Sequence, residues 1–441
     1  MSDLDPMTIT AIMFASMLVL MILGAPLAFA LMISGMGAAY MMFGPGGLDL
    51  LVASAFGAMD NFLLVSLPLF IFMGLVLERS GITDDLFSMI HKLMGGLPGG
   101  LGVGTVLICA LIAAMAGVSG AATVSLGIIA LPSMLKRGYD KRLVTGTIMA
   151  GGALGFLIPP SVLMIIYAFL SRDSVGKLFA AGVVPGLMLA GIYIGYILLR
   201  CGLRPAMGPP APPEERVSGI EKLKALRHLI APGLLVSTVL GCIIGGITSP
   251  SEASAIGAFG ALLIAALRGK VDWPMLKYVM LSTTKLMGML MWIALAAVFF
   301  SKIYVGLGAG AVVGELIEDF DVAPMAVIVA MLAVYFLLGM FLDDFAIIFI
   351  TVPIFVPIVR DLGFDTTWFA VLFVLSMQSA YLTPPFGYNL FYMRSVAPRE
   401  VSINDIYMAA LPFVLLQVLG LALVVIFPQI ALWLPGVLFG P

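Results

Sequence analysis

Five short stretches carry residue types that could do chemistry inside an otherwise apolar chain. Gly117-Val118-Ser119-Gly120 sets a serine between glycines, and Asp343-Asp344 in GMFLDDFAIIF is an adjacent acidic pair within an apolar run. GFLIPPSVL (155–163) and YLTPPFGYNL (381–390) each join a double proline to a hydroxyl, Ser161 or Thr383, and the second adds Gly387 and Asn389. Ser249-Pro250-Ser251-Glu252 places a carboxylate three residues after a serine. Serine can act as a nucleophile. Hydroxyls, freed carbonyls and carboxylates together suit a hard cation such as Na⁺.

The nucleophile needs a base. Gly-x-Ser-Gly resembles the serine motif of rhomboid-type intramembrane proteases, which pair it with a histidine at similar depth. The chain holds two histidines, His91 beside Lys92 and His228 after Arg227, both among charges at the ends of apolar runs. Neither is placed to reach Ser119, so the expectation is a protein without enzymatic activity. Two readings of Ser119 remain: a small residue for close helix packing, or part of a binding turn where Gly117 and Gly120 let backbone approach a ligand and a helix N-terminus presents N–H groups to an anion. Asp343-Asp344 is either a binding pair for a cation or a proton or a solvent-facing cap. Glu252 either caps the helix after Pro250 or joins Ser249 as an additional ion ligand.

Of 441 residues, 62% are hydrophobic and 10% charged, which no soluble domain sustains, so the chain is an all-α polytopic membrane protein. Cys109, Cys201 and Cys242 stand at no metal-like spacing, and two histidines argue against haem or a histidine-ligated metal. No phosphate-binding glycine loop or nucleic-acid patch is present, and no cofactor is expected. The first residues, MSDLDPMTIT, lack the basic charge of a cleavable signal, so they read as a mature end.

These residues must be positioned by membrane-spanning elements. Runs long enough to cross about 30 Å of hydrocarbon fall at roughly 6–24, 25–44, 62–79, 143–170 and 177–200, then at 228–248, 251–268, 285–306, 366–395 and 406–430. Segments 101–136 and 323–359 each have a glycine or polar break near the middle and read as re-entrant hairpins. With both termini outside, eighteen of the 22 basic residues fall in inner loops, leaving Arg172, Lys177, Lys302 and Arg360 outside. The first hairpin then enters from the cytoplasm, and the second from outside among Glu315, Glu318, Asp319 and Asp321.

Sliding the chain by 225 residues superposes Pro132 on Pro357, Gly138 on Gly363, Asp140 on Asp365 and Pro159-Pro160 on Pro384-Pro385. The offset also places Asp344 opposite Ser119. Residues 1–202 and 228–441 therefore read as two repeats of five spans plus one hairpin, joined by the polar linker 203–227. Five is odd, so the repeats are inverted, as in secondary transporters with a binding site between the halves. Each double proline splits its span into half-helices.

The motifs GVSGAATVSLGIIALPSM, GALGFLIPPSVLMIIYA, GGITSPSEASAIGA and TPPFGYNLF together resemble the large membrane subunit of tripartite ATP-independent periplasmic (TRAP) transporters, over essentially the whole chain. DDFAIIFITVPIFVP is most like the mannitol/chloroaromatic-type branch. The resemblance implies a Na⁺-coupled importer of a small organic anion, a carboxylate, in the bacterial inner membrane. Hairpins and broken helices would move as an elevator against a scaffold of the other spans. It implies two partners, a periplasmic substrate-binding protein and a small four-helix membrane subunit on a separate polypeptide, besides the membrane lipid. Carried onto this chain, ion site 1 would use Gly117, Ser119, Gly155 and Pro159, and ion site 2 Asp343, Asp344, Thr383, Pro384 and Gly387. Substrate would meet Ser119, Gly120, Ser161, Asp344 and Asn389.

Overall fold

The computed structural model describes residues 6–94, 96–117, 119–210, 219–308 and 323–440, and among these every regular element is a helix. Seven helices are long and apolar enough to cross a membrane, and the shorter apolar ones include three of the four hairpin arms. The acids expected at the mouth of the second hairpin, Glu315 to Asp321, lie outside the described residues, as does Val118.

The first hairpin consists of Gly100–Ala116 and Ser119–Lys136, the second of Pro324–Gly339 and Asp344–Asp361. Each is followed by a broken helix. Lys141–Ala153 runs through a 3₁₀ turn at Leu154–Phe156 and resumes as Val162–Ser171, and Thr366–Tyr381 resumes as Tyr388–Val396. Both Pro-Pro bonds at the breaks are cis.

Element boundaries recur at the 225-residue offset. Ser119–Lys136 matches Asp344–Asp361 at both ends, and the broken helices start at Lys141 and Thr366. The local causes recur too. Gly138 (φ 79°) and Gly363 (φ 77°) take the left-handed turn that L side chains avoid. Two residues on, Asp140 accepts the N–H groups of Arg142 and Leu143, and Asp365 those of Thr367 and Trp368, so each broken helix starts on a capping carboxylate.

Packing crosses the halves. The return arm Ser119–Lys136 packs on Lys141–Ala153 and on Tyr388–Val396 of the second broken helix. Conversely, Asp344–Asp361 packs on Val162–Ser171 of the first. Lys141–Ala153 also lies against Ile403–Ile426, and Thr366–Tyr381 against Val175–Leu203. A second group is built from Pro6–Ile22, Leu27–Phe43, Ser66–Arg79, Arg227–Ile244, Pro250–Leu267 and Trp273–Gly306.

Several elements differ from the hydropathy reading. Trp273–Gly306 starts twelve residues before the expected span because Asp272 caps it, and its 34 residues run about 50 Å at 1.5 Å per residue. Asp49–Met59 is an eleven-residue helix where no element was expected, since it is too short to register as a span. Ile82–Met94 buries Ile82, Leu86, Met89 and Ile90 at helical spacing and keeps Asp84, Asp85 and Lys92 at its ends, so charge hides it from a span search. The final apolar run divides after Ile426, and Gln429–Phe439 folds back onto Val175–Leu203. The linker begins with a 3₁₀ turn, Pro205–Met207, and ends with a short helix, Gly219–Ala225.

Candidate functional site: a cavity between two hairpin tips

The crossed packing brings both hairpin tips to one cavity of about 270 Å³. Gly120 comes from the first tip, and Asp343, Asp344 and Phe345 come from the second. The breaks supply Phe156 on one side and Tyr381, Tyr388 and Tyr392 on the other, while Leu286 and Met289 of the long helix close it. At Gly120 a Cβ would lie 2.8 Å from the Tyr392 ring, so the first tip presses directly on the second broken helix.

Asp343 caps the return arm, accepting the Ala346 N–H at 2.6 Å. Asp344 is 4% exposed and accepts the Tyr381 hydroxyl at 2.6 Å, while its own N–H donates to that oxygen at 3.3 Å. Tyr381 is in turn held by rings, Phe156 edge-on at 4.9 Å and Tyr388 stacked at 5.2 Å. No ion pair joins either aspartate among the described residues.

At the first break, Gly117 (φ 66°) ends the inbound arm in the left-handed region, and its carbonyl accepts the Val162 N–H at 3.3 Å. A Cβ on Gly117 would stand 3.0 Å from the Pro160 carbonyl oxygen. The tip is thus stitched onto the break that holds Gly155 and Pro159, both buried. At the second break, a Cβ on Gly387 would lie 2.6 Å from the Tyr381 carbonyl oxygen and 2.9 Å from that of Thr383. These carbonyls therefore stand where a side chain would, which is why the position needs glycine, and the Thr383 carbonyl also accepts the Gly387 N–H at 3.1 Å.

Other expected residues are placed elsewhere. Ser119 opens the return-arm helix. The Ser161 hydroxyl donates to the Phe156 carbonyl at 2.7 Å and accepts from the Met164 N–H, so it spends itself on the cap of Val162–Ser171. Thr383 likewise donates to the Ser379 carbonyl at 2.7 Å, and Pro384 is exposed. Asn389 is buried and donates to the Met149 carbonyl at 3.1 Å, which ties the two broken helices together outside the cavity wall. Ser249 and Glu252 form a reciprocal capping box on an exposed helix start, and neither lines the cavity. Of the two histidines, His91 lies 3.3 Å from Arg137 and His228 3.3 Å from Asp85.

Tyr388 and Tyr392 were missed by the sequence reading, although their four-residue spacing after a break places both on one helical face. Gln378 was missed as well. It is fully buried one turn before the second break, and neither its Nε2 nor its Oε1 has a partner. A lone glutamine in an apolar run gives no periodic signal. A second cavity, of about 620 Å³, gathers Arg172, Lys302 and Arg360 with Asn61.

The family described as "Tripartite ATP-independent periplasmic transporter, DctM component" matches residues 14–430. The C4-dicarboxylate TRAP transporter large permease protein DctM of Pseudomonas aeruginosa is 32% identical, over 90% of this chain and 91% of its own. The ectoine TRAP transporter large permease protein TeaC of Halomonas elongata is 31% identical, over 98% of this chain and 100% of its own. Among solved structures, the YdaH transporter of Alcanivorax borkumensis superposes with a TM-score of 0.66 at 17% identity, covering 91% of each chain. That likeness speaks to the fold alone.

Proposed function

Because the chain belongs to the DctM-component family of tripartite ATP-independent periplasmic transporters, a family of multi-pass permeases rather than enzymes, we propose that it is the large permease subunit of a Na⁺-coupled importer. Its solute is a small organic molecule bearing a carboxylate, delivered to it by a periplasmic binding protein and imported across the bacterial inner membrane. A small membrane subunit completes the assembly. The observation that carries this reading is the meeting of two hairpin tips and two helix breaks around one cavity.

Coupling ions sit where backbone oxygen is freed. The Gly117–Pro160 junction forms one shelf, together with Ser119, Gly155 and Pro159. Asp343 with the Tyr381 and Thr383 carbonyls at Gly387 forms the other. Irregular backbone at membrane depth persists where it is buried or lines a cavity, and the first break, buried at Gly155, Pro159 and Pro160, meets that condition. Recurrence of element boundaries at one offset, with an odd number of spans per half, supports an inverted repeat. The crossed hairpin group then slides as an elevator against the scaffold containing Trp273–Gly306. Three of the four basic residues assigned outside, Arg172, Lys302 and Arg360, meet at one cavity, which supports an external position for that end and for both termini.

The test is uptake by the purified three-part system in liposomes. An inward Na⁺ gradient and the binding protein are both expected to be required. Uptake that persists without the binding protein identifies instead a stand-alone sodium/dicarboxylate-type symporter, and gradient-independent uptake removes the coupling.

A further inference from the structure

We infer that the solute is a compact zwitterion whose positively charged group, a quaternary ammonium or an amidinium, seats on Asp344 between Tyr388 and Tyr392. This rests on the central cavity being the solute site. Among the described residues, the charged groups lining that cavity are Asp343 and Asp344, and no Lys, Arg or His joins them. With Asp343 assigned to the ion shelf, a simple dianion placed there would still face the Asp344 carboxylate, a charge of its own sign. The N-terminus of Asp344–Asp361, which could otherwise hold an anion by its N–H groups, is already occupied by these carboxylates, and Asp343 takes the Ala346 N–H.

Asp344 is buried with a tyrosine hydroxyl as its side-chain partner, and a hydroxyl does not neutralise a carboxylate. A buried unpaired charge in a membrane protein calls for a counter-charge. The walls say which kind. Five aromatic rings line the space, including Phe156, Phe345 and the three tyrosines. Tyr381 and Tyr388 stack at 28° and Phe156 stands at 89° to Tyr381, so the rings hold one another in fixed orientations. Rings grouped around a carboxylate attract an organic cation through their negative faces. A bare Na⁺ prefers the oxygen-rich breaks and needs far less than about 270 Å³. The carboxylate end is the one the proposed function requires, and Gly120 of the first tip, which lines the same cavity, adds no acid to it.

The test is direct binding to the full-length protein in lipid nanodiscs at fixed Na⁺ without a gradient, followed by thermal shift and tyrosine fluorescence. The probes are glycine betaine, tetramethylammonium and succinate. Glycine betaine is expected to bind roughly tenfold more tightly than succinate. Asp344→Asn should weaken glycine betaine and tetramethylammonium about tenfold and strengthen succinate, and Tyr388→Leu should weaken the same two by about threefold or more. Asp344→Glu keeps the charge and should keep their binding, which decides the matter if Asp344→Asn unfolds. Succinate binding as tightly as glycine betaine, or cationic probes indifferent to Asp344→Asn in a folded protein, overturns the inference. Tetramethylammonium binding tighter than glycine betaine also overturns it, because the solute would then be a plain cation. Binding is read without a gradient, so failure of Na⁺-driven uptake leaves this result standing, and a wrong charge preference leaves the uptake result standing.

Discussion

Asp344 and Tyr381 show how a single polar contact sets the character of the cavity. The hydroxyl both donates to the carboxylate at 2.6 Å and accepts the Asp344 N–H at 3.3 Å, so one group satisfies two buried partners. Tyr381→Phe removes both bonds without changing the ring. It is expected to destabilise the fold by about 1–3 kcal/mol, the usual cost of stranding buried polar groups, seen as a lowered unfolding temperature in nanodiscs. Gly387 works by leaving space. A methyl there would crowd the carbonyls of Tyr381 and Thr383 at 2.6 and 2.9 Å. Gly387→Ala should therefore abolish thermal stabilisation by added Na⁺, and an unchanged Na⁺ response would remove these carbonyls from the ion shelf.

The hairpins and broken helices are delimited by local devices that repeat. A left-handed glycine, then an aspartate accepting two N–H groups, precedes each broken helix. Asp140→Ala and Asp365→Ala should each cost about 1 kcal/mol, the usual value of an N-cap, and the double variant should cost close to the sum because each carboxylate accepts N–H groups of its own helix. Chemical unfolding of the single and double variants checks both statements. These boundaries were readable from sequence because caps, prolines and glycines act within a few residues of themselves. The short helix Asp49–Met59 and the amphipathic Ile82–Met94 were not, since a span search rewards length and uniform hydropathy and both elements lack one of these.

In the whole molecule, side chains join the two halves at separate places. Lys141 and Arg142 reach Asp405 at 2.7 and 3.3 Å, tying the first broken helix to Ile403–Ile426. At the other junction Arg360 donates to the Ser171 carbonyl, and Thr366 donates to Asp173 at 3.0 Å. Asp85 meets Arg268 at 2.5 Å and His228 at 3.3 Å. Burial opposes its charge, yet Arg268 and then His228 hold the carboxyl below its usual 3.8. A lowered carboxylate stabilises the fold above that ordinary value and loses the contribution as pH falls through the lowered one. Asp85→Asn should therefore lower the unfolding temperature at neutral pH, with the gap to the parent protein closing as the buffer is acidified below 3.8. The orientation has its own check. A cysteine at Lys302 should react with an impermeant thiol reagent in intact cells, and one at Lys224 only after the membrane is opened; the reverse pattern inverts the topology.

By itself the sequence determined the membrane class, the two breaks and the offset at which element boundaries recur, because hydropathy, proline, glycine and capping aspartate write their effects into adjacent residues. It also named the tips, at Gly120 and Asp343-Asp344, that line the cavity. Only the tertiary structure decided which polar groups remain available there. The Ser161 and Thr383 hydroxyls close on carbonyls of their own turns, and Asn389 reaches across to Met149. Tyr388 and Tyr392 form the wall instead. The reason is geometric: a side chain's role at a break depends on helix rotation and on the element packed opposite, here an arm of the other half, some 225 residues away.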